Sequence, residues 1–113
     1  MLLIHVDETG WDDASEDERA RLYEGYGKVS AAMREHGHFI AGDELHPSAE
    51  GKIVRVRDQA PRVLDGPFTE TREQLGGYYL VDCSLAEALE YAAAIPGAAT
   101  GAVEVRQVSD SSP

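Results

Sequence analysis

An α+β fold follows from the way two periodicities alternate along the chain. Short apolar runs of period two mark strands at the start, in the middle and near the end of the 113 residues. Between them lie two stretches of 3.6-residue periodicity, each opened by a serine in a capping pattern.

Leu2, Ile4 and Val6 alternate with Leu3, His5 and Asp7, which makes the first strand and sets His5 opposite the more apolar face. The acid-rich stretch that follows reads as a loop around Gly10. Ser15-Glu16-Asp17-Glu18 has the form of a capping box, and its acids suit the positive end of a helix. Leu22, Tyr26, Val29 and Met33 then form one apolar stripe, which predicts a helix from Ser15 to Glu35 ending near Gly37. Phe39 to Leu45 is a weaker strand, interrupted by Gly42. Ile53–Arg57 and Arg62–Leu64 flank Asp58-Gln59-Ala60-Pro61, a hairpin connection. Thr71 with Gln74 caps one short helical turn, and Tyr78–Val81 is a dense strand. A second helix opens at Ser84-Leu85-Ala86-Glu87, buries Leu85, Ala88, Leu89 and Ala92, and stops at Ile95-Pro96-Gly97. Val103 and Val105 mark the last strand. This order fits a split βαβ, ferredoxin-like domain with an extra β-hairpin and both helices on one sheet face. Residues 1–108 form the expected single domain, and 109–113 a flexible tail with nothing to bury.

Ten basic against 21 acidic residues leave a net charge of -11, so nucleic-acid coating and binding to anionic lipid are excluded on electrostatic grounds. No apolar run reaches the length of a membrane span, and the opening residues lack the basic and apolar pattern of a leader. The expected address is the cytoplasm. One cysteine, Cys83, rules out an internal disulfide and the multi-cysteine metal patterns, and it reads as packing volume. His36-Gly37-His38 has no zincin spacing, and neither Asp12-Asp13 nor Asp43-Glu44 has that of an EF-hand. Gly76-Gly77 is no phosphate-loop signature. No metal and no cofactor is expected.

Two helices cover one face of such a sheet, and a second copy covering the other would make a two-fold homodimer. The candidate chemistry centres on Asp65. It follows the strand-like Val63-Leu64 and precedes Gly66-Pro67, where a carboxylate either caps its own turn or works as a general acid/base. His5 and His46 are the histidines expected to approach it, ahead of His36 and His38 at the helix exit. Tyr26, Phe68, Tyr78 and Tyr79 are candidate pocket aromatics, with Tyr78 and Tyr79 on opposite sheet faces. Arg55, Arg57 and Arg72, with Arg62 across the hairpin, either receive an anionic small molecule or acidic partner or simply offset the acids.

The stretch Val63-Leu64-Asp65-Gly66-Pro67-Phe68 through Glu73-Gln74-Leu75-Gly76-Gly77-Tyr78-Tyr79 resembles the DGPF branch of the YCII-related proteins. The likeness extends to Leu2-Leu3-Ile4, the Leu22–Met33 helix, Ala41-Gly42 and Val103-Glu104-Val105-Arg106. It implies a ferredoxin-like protein of the dimeric α/β-barrel type, with a cleft near the central motif and Asp65 as the family aspartate. The histidine of the suspected His–Asp pair has no counterpart on the first helix, which carries Tyr23, Tyr26 and Lys28 instead. The branch also implies association with sigma factors. The reading is a dimer with a small-molecule pocket and Asp-based acid/base chemistry, or else a noncatalytic sensor or sigma-factor partner.

Overall fold

A computed structural model describes residues 1–109; of the tail expected to be flexible, 110–113 lie outside the described residues. The elements are β1 (Leu2–Asp7), α1 (Glu8–Asp12), α2 (Glu16–Glu35), β2 (Phe39–Glu44), β3 (Lys52–Arg57), β4 (Ala60–Asp65), β5 (Glu73–Val81), α3 (Leu85–Ala94) and β6 (Ala102–Val105). Short 3₁₀ turns lie at Ser48–Glu50 and Pro96–Ala98. An antiparallel four-stranded sheet runs in the order β2-β5-β1-β6, and β3-β4 is a separate two-stranded sheet. With the hairpin and α1 set aside, this is an α+β protein in the order β-α-β-β-α-β.

Both main helices pack on one face of the sheet. Leu2 and Ile4 of β1 and Tyr79 of β5 meet Val29 and Met33 of α2, Ala88 and Ala92 of α3, and Ile95. Alternation leaves Leu3, His5, Tyr78 and Leu80 on the opposite face, with no helical layer above them among the described residues. The register of β1 against β5 slips between Ile4 and His5, so Gly76 is an extra residue on β5. A side chain there would press on Val6, with a Cβ only 2.9 Å from Val6 Cγ2.

Local chemistry explains the helix ends. The Ser15 hydroxyl accepts from the Glu18 N–H at 3.1 Å, without a reciprocal bond from the Glu18 side chain. Ser84 makes the full box: its hydroxyl accepts from the Glu87 N–H at 3.1 Å, and Glu87 Oε1 accepts from the Ser84 N–H at 3.0 Å. These bonds hold the Glu87 carboxyl below its ordinary pKa. Ser84→Ala should therefore cost about 1 kcal/mol, read as a fall in thermal midpoint against the unchanged protein. A loss as large as that of a core truncation would mean that Ser84 does more than cap.

Four sequence expectations are corrected. The stretch after Asp7 is a helical turn, α1, because Asp7 caps it by accepting from the Thr9 N–H at 3.0 Å. The hairpin connection is Asp58-Gln59 alone, both with positive φ as in a type I′ turn, while Ala60 and Pro61 pair with Arg57 and Val56. Pro61 is tolerated because β4 is an edge strand. Thr71 and Gln74 start no helix: Glu73 and Gln74 already pair with Asp7 and Val6. Leu85 and Leu89 point outwards, since α3 approaches the sheet through the small side chains of Ala88 and Ala92.

Candidate functional site

The end of the sheet where β1 runs into α1 carries an open cleft of about 710 Å³, lined by His5, Asp7, Thr71, Arg72, Glu73, Thr100 and Ala102. His5 and Asp7 are two residues apart on β1 and so share the uncovered sheet face. The β1–β6 register sets Glu104 opposite Leu3, within reach of His5, and His5 Nε2 lies 3.1 Å from Glu104 Oε1. Glu104 also approaches Arg106, at 3.6 Å. With Nε2 engaged, Nδ1 is the ring nitrogen without a hydrogen-bond partner among the described residues.

Asp7 is fully committed. Its Oδ1 accepts from the Thr9 N–H and, at 2.6 Å, from the Thr9 hydroxyl, and Oδ2 accepts from Arg72 Nε at 3.0 Å. The bonds from Thr9, supported by Arg72, lower its pKa, so Asp7 is an ionised anchor that resists protonation. Arg72 itself sits in a loop shaped by Gln74, whose amide donates to the carbonyls of Thr69 and Thr71, each at 2.8 Å. With Nε held by Asp7, the outer nitrogens of the Arg72 guanidinium have no hydrogen-bond partner among the described residues, and a free guanidinium edge is a fork that can receive a carboxylate.

Asp65 lies elsewhere. It ends β4, is 78% exposed, and pairs with Lys52 across the base of the hairpin. The Lys52 ammonium lowers its pKa. Asp65 lines neither this cleft nor a second one of about 500 Å³ formed by Glu44, Leu45, His46, Pro47 and Glu50. His46 in that second cleft is exposed, with Nδ1 3.5 Å from Glu50. Neither His5 nor His46 is a hydrogen-bond partner of Asp65. The segment leading into the hairpin is tied to the body at Ser48, whose N–H and hydroxyl both donate to Glu8 at 2.7 Å, and the hairpin base closes on itself where the Gly66 N–H donates to the Gly51 carbonyl at 2.8 Å. The peptide bond between Gly66 and Pro67 is cis.

The other candidates divide between core, hairpin and open face. Tyr26 is half-buried against Gly97, and burial raises its pKa. Tyr79 is buried under α2, its hydroxyl 2.9 Å from Ser30 Oγ. Tyr78 sits on the open face, its hydroxyl 3.5 Å from Asp43. Phe68, a candidate pocket aromatic, is exposed instead and has the Arg55 guanidinium 5.5 Å from its ring centroid. Arg55 and Arg57 lie on the hairpin, away from both clefts. Cys83 packs against the core, and burial raises its pKa. His38 joins α3, with Nδ1 2.7 Å from the Tyr91 hydroxyl and Nε2 3.4 Å from Glu87. Among the described residues no three His, Cys, Asp or Glu side chains converge as a metal site would require.

Sequence reasoning missed Asp7, Glu104 and Thr100. The two-residue spacing of His5 and Asp7 in a strand was the available signal for Asp7; Glu104 and Thr100 reach the cleft only through the pairing of distant strands.

Comparison with known proteins adds two findings. The YCII-related domain family matches residues 2–112. An uncharacterised protein of Rhizobium meliloti (strain 1021) is 35% identical over 111 residues, covering 96% of this chain and 90% of that protein.

Proposed function

The chain belongs to the YCII-related domain family, and on that premise we propose that it is a homodimeric small-molecule-binding protein whose site is the cleft between His5 and Arg72. The observation that carries this reading is the pairing, in one cleft, of a histidine oriented by Glu104 with an arginine oriented by Asp7. Arg72 supplies a fork for a carboxylate, and His5 supplies an imidazole able to take up or give a proton. The substrate class is therefore a small carboxylic acid. If the site is catalytic, the acid/base work is that of His5 through Nδ1, and Asp65 braces the hairpin base. The tetrapeptide Asp65-Gly66-Pro67-Phe68 supports placement in the DGPF branch, and the uncovered sheet face supports the dimeric α/β-barrel type.

One observation favours the noncatalytic reading. Asp7 is held ionised by three hydrogen bonds, so it does not serve as the second proton-transfer group that many acid/base reactions use. A sensor needs only the His5–Arg72 recognition pair, and a sigma factor is the partner that the branch resemblance would give it.

Ligand-observed NMR with a panel of small mono- and dicarboxylic acids tests the site. At least one acid should show binding that Arg72→Gln weakens about tenfold or more, from the loss of a charge-assisted hydrogen bond. Asp65→Asn should bind as the unchanged protein does. Binding by none of the panel, or equal binding after Arg72→Gln, would sink the assignment. Turnover that His5→Gln abolishes would make the site catalytic; binding without turnover would make it a sensor.

A further inference from the structure

Among the described residues no helix or other sheet forms a layer on either face of the β3–β4 hairpin. Every residue of β4 is exposed, and Val54, Val56, Val63, Leu64 and Phe68 keep 57–67% of their surface in solvent. The register sorts the hairpin into two unlike faces. Val54 opposes Val63 and Val56 opposes Pro61, giving an apolar face, while Arg55 opposes Arg62 on the other, with Arg57 beside them. Two like charges directly opposite each other are destabilising unless an anion lies between them. Among the described residues, the ion pair of this hairpin is Lys52–Asp65, and none of the three arginines has a carboxylate in reach.

The rest of the molecule is complementary to this element. The hairpin, from Lys52 to Asp65, carries four cations against two acids, or +2; since the whole chain is -11, the remainder is -13. The open sheet face bears Leu3, Tyr78 and Leu80, each half-buried. The radius of gyration, 16.0 Å, exceeds the ~13 Å expected for a chain of this length. A two-stranded hairpin standing alone in water is marginal.

We propose that the hairpin is an arm that docks on a second copy of this chain, exchanged about a two-fold axis. The second copy supplies apolar cover for the valine face and carboxylates for Arg55, Arg57 and Arg62. The valine face of each arm exposes on the order of 300 Å² through Val54, Val56 and Val63, the scale at which such a patch marks an interaction site. Two arms and the surfaces they meet together reach the ~1,200–2,000 Å² of a stable pair. The inference deepens the homodimeric reading above and rests on it.

Sedimentation of the whole protein across concentration and salt tests it. The unchanged chain should show a two-chain mass that weakens as salt rises. Val54→Ser/Val63→Ser and Arg55→Glu/Arg62→Glu should each raise the dissociation constant at least tenfold, with helix content intact because no arm residue belongs to the core. A one-chain mass for the unchanged protein would overturn both the arm and the homodimer. Variants that associate as tightly as the parent would overturn the arm and leave the homodimer standing. Hydrogen exchange on the unchanged protein is the second measurement: amides of Lys52–Asp65 should lose protection on dilution, and exchange independent of concentration would overturn the proposal even if a variant failed to fold.

Discussion

Leu2→Ala should lower the unfolding free energy by about 3–5 kcal/mol, the largest loss expected from any single truncation in this chain. Leu2 is fully buried at the centre of the sheet, between Tyr79 of β5 and Val105 of β6, and it packs in the cluster that holds Met33 and Ile95. Strands hydrogen-bonded on both sides cannot collapse into the space that a lost isobutyl group leaves, so the cavity term adds to the lost transfer term. The melting temperature should fall by more than about 10 °C. Val108→Ala, at an exposed position, is the control and should change stability by no more than about 0.5 kcal/mol. If both truncations shift the midpoint alike, the core is not where the packing of β1, α2 and α3 sets it.

Gly101→Ala should cost about 2–3 kcal/mol and disturb the cleft as well. A Cβ at Gly101 would run into the His5 carbonyl oxygen and stand 3.2 Å from Val6 Cα, and backbone atoms cannot rotate aside as a side chain would. The start of β6 must then move off β1, taking with it the pairing of Ala102 with His5 and the approach of Glu104 to the imidazole. Two readouts are therefore expected together: a lower thermal midpoint and a shifted imidazole resonance for His5. Gly10→Ala is the counterpart, with nothing within 4 Å of the added carbon, and should be neutral or slightly stabilising in α1. A Gly101→Ala protein with parental stability and an unmoved His5 resonance would show that β6 has room at this point.

Much of the fold was legible because its signals are local. A serine followed three residues later by a glutamate marked the starts of α2 and α3, and Pro96 marked the end of α3. The alternation of Leu2, Ile4 and Val6 assigned β1 and its two faces. What failed to read depends on distance or on competition between short-range bonds. The Asp7 side chain could brake a strand or cap a helix, and the geometry at Thr9 decided for the cap. Leu85 and Leu89 obeyed helical spacing, yet which stripe of α3 is buried follows from how closely Ala88 and Ala92 let the helix approach the sheet. The candidate site shows the same division. His5 was legible as a residue on the open face, whereas Asp65 drew attention through a turn motif whose carboxylate is spent on Lys52. Nothing local to Glu104 announces that it meets His5, ninety-nine positions away in the chain.

The central place of β1 also governs the order in which this protein can be assembled during synthesis. Its partners β5 and β6 follow it by roughly 70 to 100 residues, which at ~5–20 residues per second is a delay of several seconds. Through that interval the first strand has no neighbour to bond with, while the β3–β4 hairpin, wired entirely by contacts close in sequence, can close within microseconds of its emergence. A nascent chain can thus open and close its outermost element many times before the middle of its sheet exists.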